Sequence, residues 1–238
     1  MKKTSEWRLQ QCRTNQRRYR QQAVEGLRQL EEQVASLNME TARLEGNLHI
    51  LRSTSLMASA GAKILTRYND MFRHGLSRQN EGPQVLLLES IMDANVVVHG
   101  DFTGGVHAII EQWRRYASCF HTLELVQTHM DVIQLDAAQL VHSSGYALLR
   151  ISRRTLETIF PHVLHREDLV QRLIGRELKV WFARNYTVDG ASGRIVDVAG
   201  SVGFMNGLID LLQSTEDAMD VFSLANIDAW GRLYKEEP

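Results

Sequence analysis

Leu30, Leu37, Leu44 and Leu51 stand seven residues apart. An α-helix makes one turn every 3.6 residues, so a strict seven-residue repeat keeps these side chains on one narrow stripe. With the leucines at heptad position d, the a positions are Leu27, Val34, Thr41 and Leu48, and seven of these eight seam residues are aliphatic. A helix lying on a globular core would carry a wider apolar face. The narrow stripe fits two helices wound together as a parallel coiled coil. No proline occurs from Glu6 to Leu51; only Gly26 and Gly46 weaken the helix, each by about 1 kcal/mol against alanine.

The repeat directly follows the most basic stretch of the chain. Residues 1–20 hold Lys2, Lys3, Arg8, Arg13, Arg17, Arg18 and Arg20 against Glu6, a net of +6. The whole chain carries −1, which leaves −7 for residues 21–238. A basic arm on an acidic body is the charge pattern of a nucleic-acid-binding arm. A solvated helix face would give the same count, so position on the helix has to decide. At 100° per residue, Cys12, Asn15, Gln16, Tyr19 and Arg20 fall within about 140° of one another, and Arg8 joins them one turn earlier. Ala23, Leu27 and Leu30 carry this face into the seam. In a forked dimer it is the face that looks into the major groove of double-stranded DNA. Asn and Gln can bond adenine edges, and Arg can bond guanine or phosphate. Arg13, Arg17 and Arg18 flank the face, where the phosphates lie.

These residues resemble the basic leucine zipper (bZIP) transcription factors. The family's basic region carries an Asn, small residues three and four positions on, and a small residue followed by Arg eight positions after the Asn. The first zipper leucine comes ten residues after that Arg, the spacing of Arg20 and Leu30. Counting back puts Cys12 at the Asn position, with Asn15, Gln16 and Tyr19 at the small-residue positions. The string Gln11 to Arg20 is similar to an unusual branch of the family, associated with oomycetes, in which Cys replaces the Asn. The resemblance implies a nuclear, sequence-specific DNA-binding dimer. A thiol is a weak donor and weak acceptor and cannot bond two bases at once. Base readout is therefore expected to pass to Asn15 or Gln16, or specificity to relax. A tolerated small side chain is the first reading of Cys12, and a block to DNA entry on oxidation is the second.

The zipper itself reads as weak. Thr41 is polar at an a position, and the only g-to-e′ pair that brings two charges together in a homodimer is Glu40–Glu45, which repel. Homodimer and heterodimer with another bZIP protein both stay open. A partner with Lys or Arg opposite Glu40 or Glu45 would be preferred. A zipper partner that modulates other bZIP factors while binding DNA poorly is one alternative, and a ligand-binding or enzymatic second domain that the coiled coil merely oligomerises is another.

The heptads end near Leu51, and the domains are expected at 1–54 and 55–238. In the second part, residues 56–76 read as an amphipathic helix (Leu56, Ile64, Leu65, Tyr68, Met71, Phe72), Arg78–Pro83 as a turn, and Val85–Met92 as helical. Asp101–Gly105 reads as a turn before a helix over Val106–Phe120. Strands are expected at Leu123–Leu135, Ala138–Ser144, Tyr146–Thr155, Leu178–Val188 and Arg194–Val202. Phe160–Gln171 reads as a connection, and Leu208–Ser214 and Ala218–Leu224 as helices. Helices followed by a run of strands predict an α+β domain with helices packed on a curved antiparallel sheet.

This pattern resembles the nuclear-transport-factor-2-like, or SnoaL-like, cone fold. The stretches Gly105–Phe120 and Trp181–Val198 are similar to the domain that follows the zipper in the same bZIP branch. That fold houses both enzymes and binding modules, so it implies a cavity and not a chemistry. Asp93, Asp101, Tyr116, Asp131 and His142 are the candidates to face such a cavity, although each Asp reads first as a cap or turn residue. Trp113, Tyr116 and Phe120 read as core first and pocket lining second. No catalytic motif, cofactor site or metal-ligand spacing is legible, and the two distant cysteines, Cys12 and Cys119, suggest no disulfide framework. An unidentified small ligand of the second domain remains open; no secretory signal or membrane span is expected.

Overall fold

The computed structural model describes residues 2–98, 104–228 and 230–234, without the side chains of 2–6, 8–9 and 52–58. The chain divides into two compact units, Met1–Ser53 and Thr54–Pro238.

Helix α1, Lys2–Ala58, is one unbroken α-helix of 57 residues. At 1.5 Å per residue it is about 85 Å long, far beyond the usual helix of a globular domain. Every described side chain from Gln10 to Leu51 is exposed, the aliphatic seam included. The helix is held locally by contacts such as Arg28 to Glu32 at 3.4 Å and Gln29 Nε2 to Glu25 Oε1 at 3.4 Å, all off the seam. Pairs of this kind stabilise a helix by only tenths of a kcal/mol each.

Helix α2 (Ala60–Phe72) starts on its own cap. The Ser59 hydroxyl accepts the Ala62 N–H at 3.1 Å and donates to Gln139 Oε1 at 2.9 Å. The break before the second run of helices therefore falls at Ser59, and α2 is shorter at both ends than the 56–76 pattern; the side chain of Leu56 lies outside the described residues. Leu65, Tyr68 and Phe72 point into the core. Helix α3 (Glu81–Ile91) begins inside the stretch expected as a turn. Pro83 sits in its first turn, where its missing N–H is not needed. Buried Gln84 ties the α2–α3 connection: it donates to Met71 O and Gly75 O and accepts the Ser77 N–H at 2.9 Å.

Strand β1 (Met92–Val98) follows directly, then α4 (Gly105–Cys119), β2 (Leu123–Gln134), β3 (Ala138–Arg150), α5 (Arg153–Ile159), a 3-10 turn (Pro161–His165), α6 (Glu167–Leu173), β4 (Glu177–Asp189), β5 (Ile195–Val202), α7 (Phe204–Leu212) and α8 (Thr215–Ser223). The expected turn at Asp101 lies outside the described residues, save Gly104 and Gly105. One five-stranded sheet runs β1-β5-β4-β3-β2. Its pairs are antiparallel except β1–β5, which is parallel, so the sheet is mixed at one edge. Register shifts within β1–β5, β2–β3 and β4–β5 curve it. The unit is thus the expected α+β cone-like domain, helices packed on a curved sheet.

Two differences from the sequence reading have local causes. Ala138–Arg150 is one strand, although Gly145 interrupts its apolar pattern; a Cβ there would lie 2.9 Å from Gln127 Cα, so the glycine allows the bulged β2 to approach. The strand then stops at Arg150 instead of running to Thr155. Ser152 and Thr155 form a reciprocal capping box that starts α5, with Ser152 N–H donating to Thr155 Oγ1 at 2.8 Å. The buried Thr155 hydroxyl donates onward to Cys119 O at 2.6 Å.

The core is in two clusters. One gathers Leu149, Ile151, Leu156, Phe160, Leu178 and Phe204; the other gathers Leu65, Phe72, Leu88, Val141, Tyr186 and Ile195. Trp113 of α4 packs against both.

Candidate functional site

Two regions carry chemistry, one in each unit. In the first, Cys12, Arg13, Asn15, Gln16, Arg17, Arg18, Tyr19 and Arg20 are exposed along the continuous α1; the side chain of Arg8 lies outside the described residues. Their helical conformation realises the face drawn from the spacing, with Cys12, Asn15, Gln16, Tyr19 and Arg20 on one side. Thr14 folds back on its own helix, its hydroxyl donating to Gln10 O at 2.9 Å. The same side continues into Leu27, Leu30, Val34, Leu37, Thr41, Leu44, Leu48 and Leu51. The aliphatic members remain between 48% and 71% exposed in the single chain. Covering an aliphatic side chain fully contributes about 1.5–3 kcal/mol, so this stripe is a large unsatisfied apolar surface.

In the second unit a cavity of about 160 Å³ lies between the two core clusters. Inward positions of β4 and β5 form one wall: Val180, Phe182, Arg184 and Tyr186, with Val198, Gly200 and Val202. Helices α2 and α4 form the opposite wall with Tyr68, Gln112, Trp113 and Tyr116, and the C-terminal segment closes over them with Trp230, Gly231 and Arg232. That segment is tied down from α4. Gln112 makes a two-way pair with Leu233, 3.0 Å in each direction, and the Tyr116 hydroxyl donates to Gly231 O at 2.6 Å. Trp113 Nε1–H donates to the Tyr68 hydroxyl at 3.2 Å. Burial pushes the phenols of Tyr68 and Tyr116 well above their usual range, so both keep their protons.

Arg184 is the unusual member. It faces inward from the central strand β4, directly opposite Gly200. Burial works against its charge, while a hydrogen bond to Tyr186 and the neighbouring Tyr68 and Tyr116 phenols hold its pKa up. Arg232, by contrast, has a carboxylate, Asp228 Oδ2, at 3.4 Å.

Of the five residues proposed from sequence to face a cavity, the lining includes Tyr116 only. Asp93 Oδ1 accepts the Asn95 N–H at 2.8 Å, a turn role. Asp131 meets His129 at 2.7 Å on β2, and His142 Nδ1 meets Asn185 Oδ1 at 2.8 Å on the other face of the sheet. Asp101 lies outside the described residues. Trp113 lines the cavity, while Phe120 stays in the core and stacks on Tyr116 with ring centroids 5.7 Å apart. Arg184, Tyr68 and Tyr186 line the cavity without being expected there from the sequence, which places Tyr68 only on the apolar face of its helix. The signal for Arg184 was available: it stands in phase with Leu178, Val180, Phe182, Tyr186 and Val188, a charge on the apolar side of an alternating strand.

No curated protein matches the chain. Solved structures with a similar chain course include three of low identity. A provisionally assigned polyketide cyclase from Acidithiobacillus ferrooxidans is 17% identical, with a TM-score of 0.43, over 66% of this chain and 96% of that one. A provisionally assigned SnoaL-like polyketide cyclase from Shewanella denitrificans is 13% identical, with a TM-score of 0.42, over 64% and 96%. An NTF2-like protein of unknown function from Burkholderia pseudomallei is 12% identical, with a TM-score of 0.40, over 66% and 99%. Residues 62–119 match the family model of the BZIP transcription factor 1 C-terminal domain. That stretch takes in most of α2, all of α3, β1 and α4, and the Tyr68–Trp113–Tyr116 wall of the cavity. The segment that follows the long helix is therefore similar, over these residues, to the C-terminal domain of a bZIP transcription factor family.

Proposed function

We propose that this protein is a nuclear, sequence-specific DNA-binding transcription factor that acts as a leucine-zipper dimer. The observation that carries the reading is the continuity of one helix face. An exposed aliphatic seam runs without a break into Tyr19, Arg20, Gln16, Asn15 and Cys12. Pairing two chains along the seam would bury the apolar stripe and splay the basic ends across the major groove. Arg13, Arg17, Arg18 and Arg20 would hold phosphates or guanine, with Asn15 and Gln16 reading bases. Residues 1–54 would form this module and 55–238 a separate one. The described lining of the cavity holds no Asp, Glu or His, which favours binding over acid–base catalysis in the second module.

Selection from random duplex DNA under reducing conditions, at two salt concentrations, tests the reading. Enrichment of a palindromic or half-site motif is expected. Weak binding with a steep salt dependence and no motif would reject it and leave phosphate attraction alone. In that case the zipper-partner reading, which Cys12 at the Asn position and the Glu40–Glu45 repulsion favour, would take its place.

A further inference from the structure

We propose that the cavity of the second unit is a binding site for a small one-ring aromatic carboxylate, with Arg184 as its anion anchor. The inference is independent of DNA binding.

A guanidinium withdrawn from bulk water is costly unless its charge is met. Among the described residues Arg184 has no carboxylate partner, and the groups acting on it are tyrosines. Tyr116 already donates to Gly231 O, and the Tyr68 oxygen already accepts from Trp113. The hydroxyl protons of Tyr68 and Tyr186 meet no acceptor among the described residues. Guanidinium N–H groups and two phenol O–H groups therefore converge on one space. A site with donors in excess calls for an acceptor-only group, and a carboxylate can take a bidentate pair from Arg and further bonds from hydroxyls.

Shape adds the ring. Most of the remaining lining is apolar, with Leu149, Val180, Phe182 and the Trp113 indole facing the space, and its polar members Asn69, Gln112 and Arg232 are engaged by Gln127, Leu233 and Asp228. This disfavours a fully hydrated inorganic anion. A dry cavity of about 150 Å³ is large enough for benzene, so about 160 Å³ suits one ring with its carboxylate beside Arg184. Gly200 supports the arrangement: a Cβ there would lie 2.9 Å from Arg184 Cγ and force the arginine stem to shift.

Ligand-observed NMR titration of the full chain at neutral pH, with benzoate, benzamide and inorganic phosphate as probes, tests this. Benzoate should bind the wild type, and benzamide, of the same shape without charge, should bind at least roughly tenfold more weakly. Arg184→Met, checked for folding by circular dichroism, should weaken benzoate by a similar factor, and Tyr68→Phe by several-fold. The benzoate–benzamide comparison needs no variant and stands even where Arg184→Met fails to fold. Equal binding of the two probes, phosphate binding as tightly as benzoate, a folded Arg184→Met that binds benzoate like the wild type, or no benzoate binding below about 10 mM would each overturn the proposal.

Discussion

Gly200 stands directly across the β4–β5 pair from Arg184, and the absence of a side chain at Gly200 gives the arginine stem its room. Gly200→Ala would press a methyl group on Arg184 Cγ and on the backbone of β4. Overpacking of this kind costs about 1–3 kcal/mol. Urea denaturation of the variant should show that loss. Gly82→Ala, where a Cβ meets nothing within 4 Å, should show none and serves as the control.

Arg20 sits at the family's Arg position and ten residues before the first zipper leucine. Arg20→Ala should weaken binding to a selected site by about 1–3 kcal/mol, roughly fivefold to a hundredfold, in a fluorescence anisotropy titration. Arg28→Ala, off the face and paired with Glu32, should change little. Unchanged affinity in Arg20→Ala would discard the register.

Glu40 and Glu45 set the pairing preference of the seam. Glu40→Lys turns a repulsive interchain pair into an attractive one and should tighten the homodimer by a few tenths of a kcal/mol at each of its two occurrences. Sedimentation equilibrium at low salt reads the change, and high salt should erase most of it.

Gly46 lies off the seam with open space around it. Gly46→Ala should stabilise α1 by about 1 kcal/mol per helix. A higher melting temperature for the helical signal, with an unchanged oligomeric state, is the expected result.

The Asp189 carboxylate accepts both the hydroxyl and the backbone N–H of Ser192, each at 2.7 Å. These bonds hold its pKa below the usual carboxylate range, the Ser192 hydroxyl being the largest cause. A carboxylate with a depressed folded-state pKa contributes stability above its unfolded value, about 3.9, and loses it as pH falls through the folded value. Ser192→Ala should raise the Asp189 pKa, as seen by NMR titration. It should also leave less stability to lose between about pH 4 and the lower folded value. An unmoved Asp189 titration would refute the assignment.

The heptads were legible because one periodicity over many residues outweighs any local preference, and α1 follows them to Ala58. The second unit was legible in its order of helices and strands but not at its joints. The helical pattern stops at Met92; Val96, Val97 and Val98 form too short an apolar run to choose a state, and only the distant β5 makes Met92–Val98 a strand. Ser152 and Thr155 look like strand residues until their reciprocal cap is seen. Asp93, Asp131 and His142 attracted notice by residue type alone, whereas Arg184 carried a positional signal, a charge in phase with buried neighbours. Which tyrosines surround it depends on α2 and α4 reaching the same space, and no spacing along the chain encodes that.

The parallel pairing of β1 with β5 joins Met92 to Ile195, more than 100 residues later. Closing so long a loop comes late, because its entropy must be met before the contact gives anything back. On the ribosome, α1 can form as soon as it emerges, while the sheet stays open at that edge until β5 has been made. The apolar residues of β1 then wait for their neighbour over much of the domain's synthesis, and in that interval the strand is open to pairing with another chain.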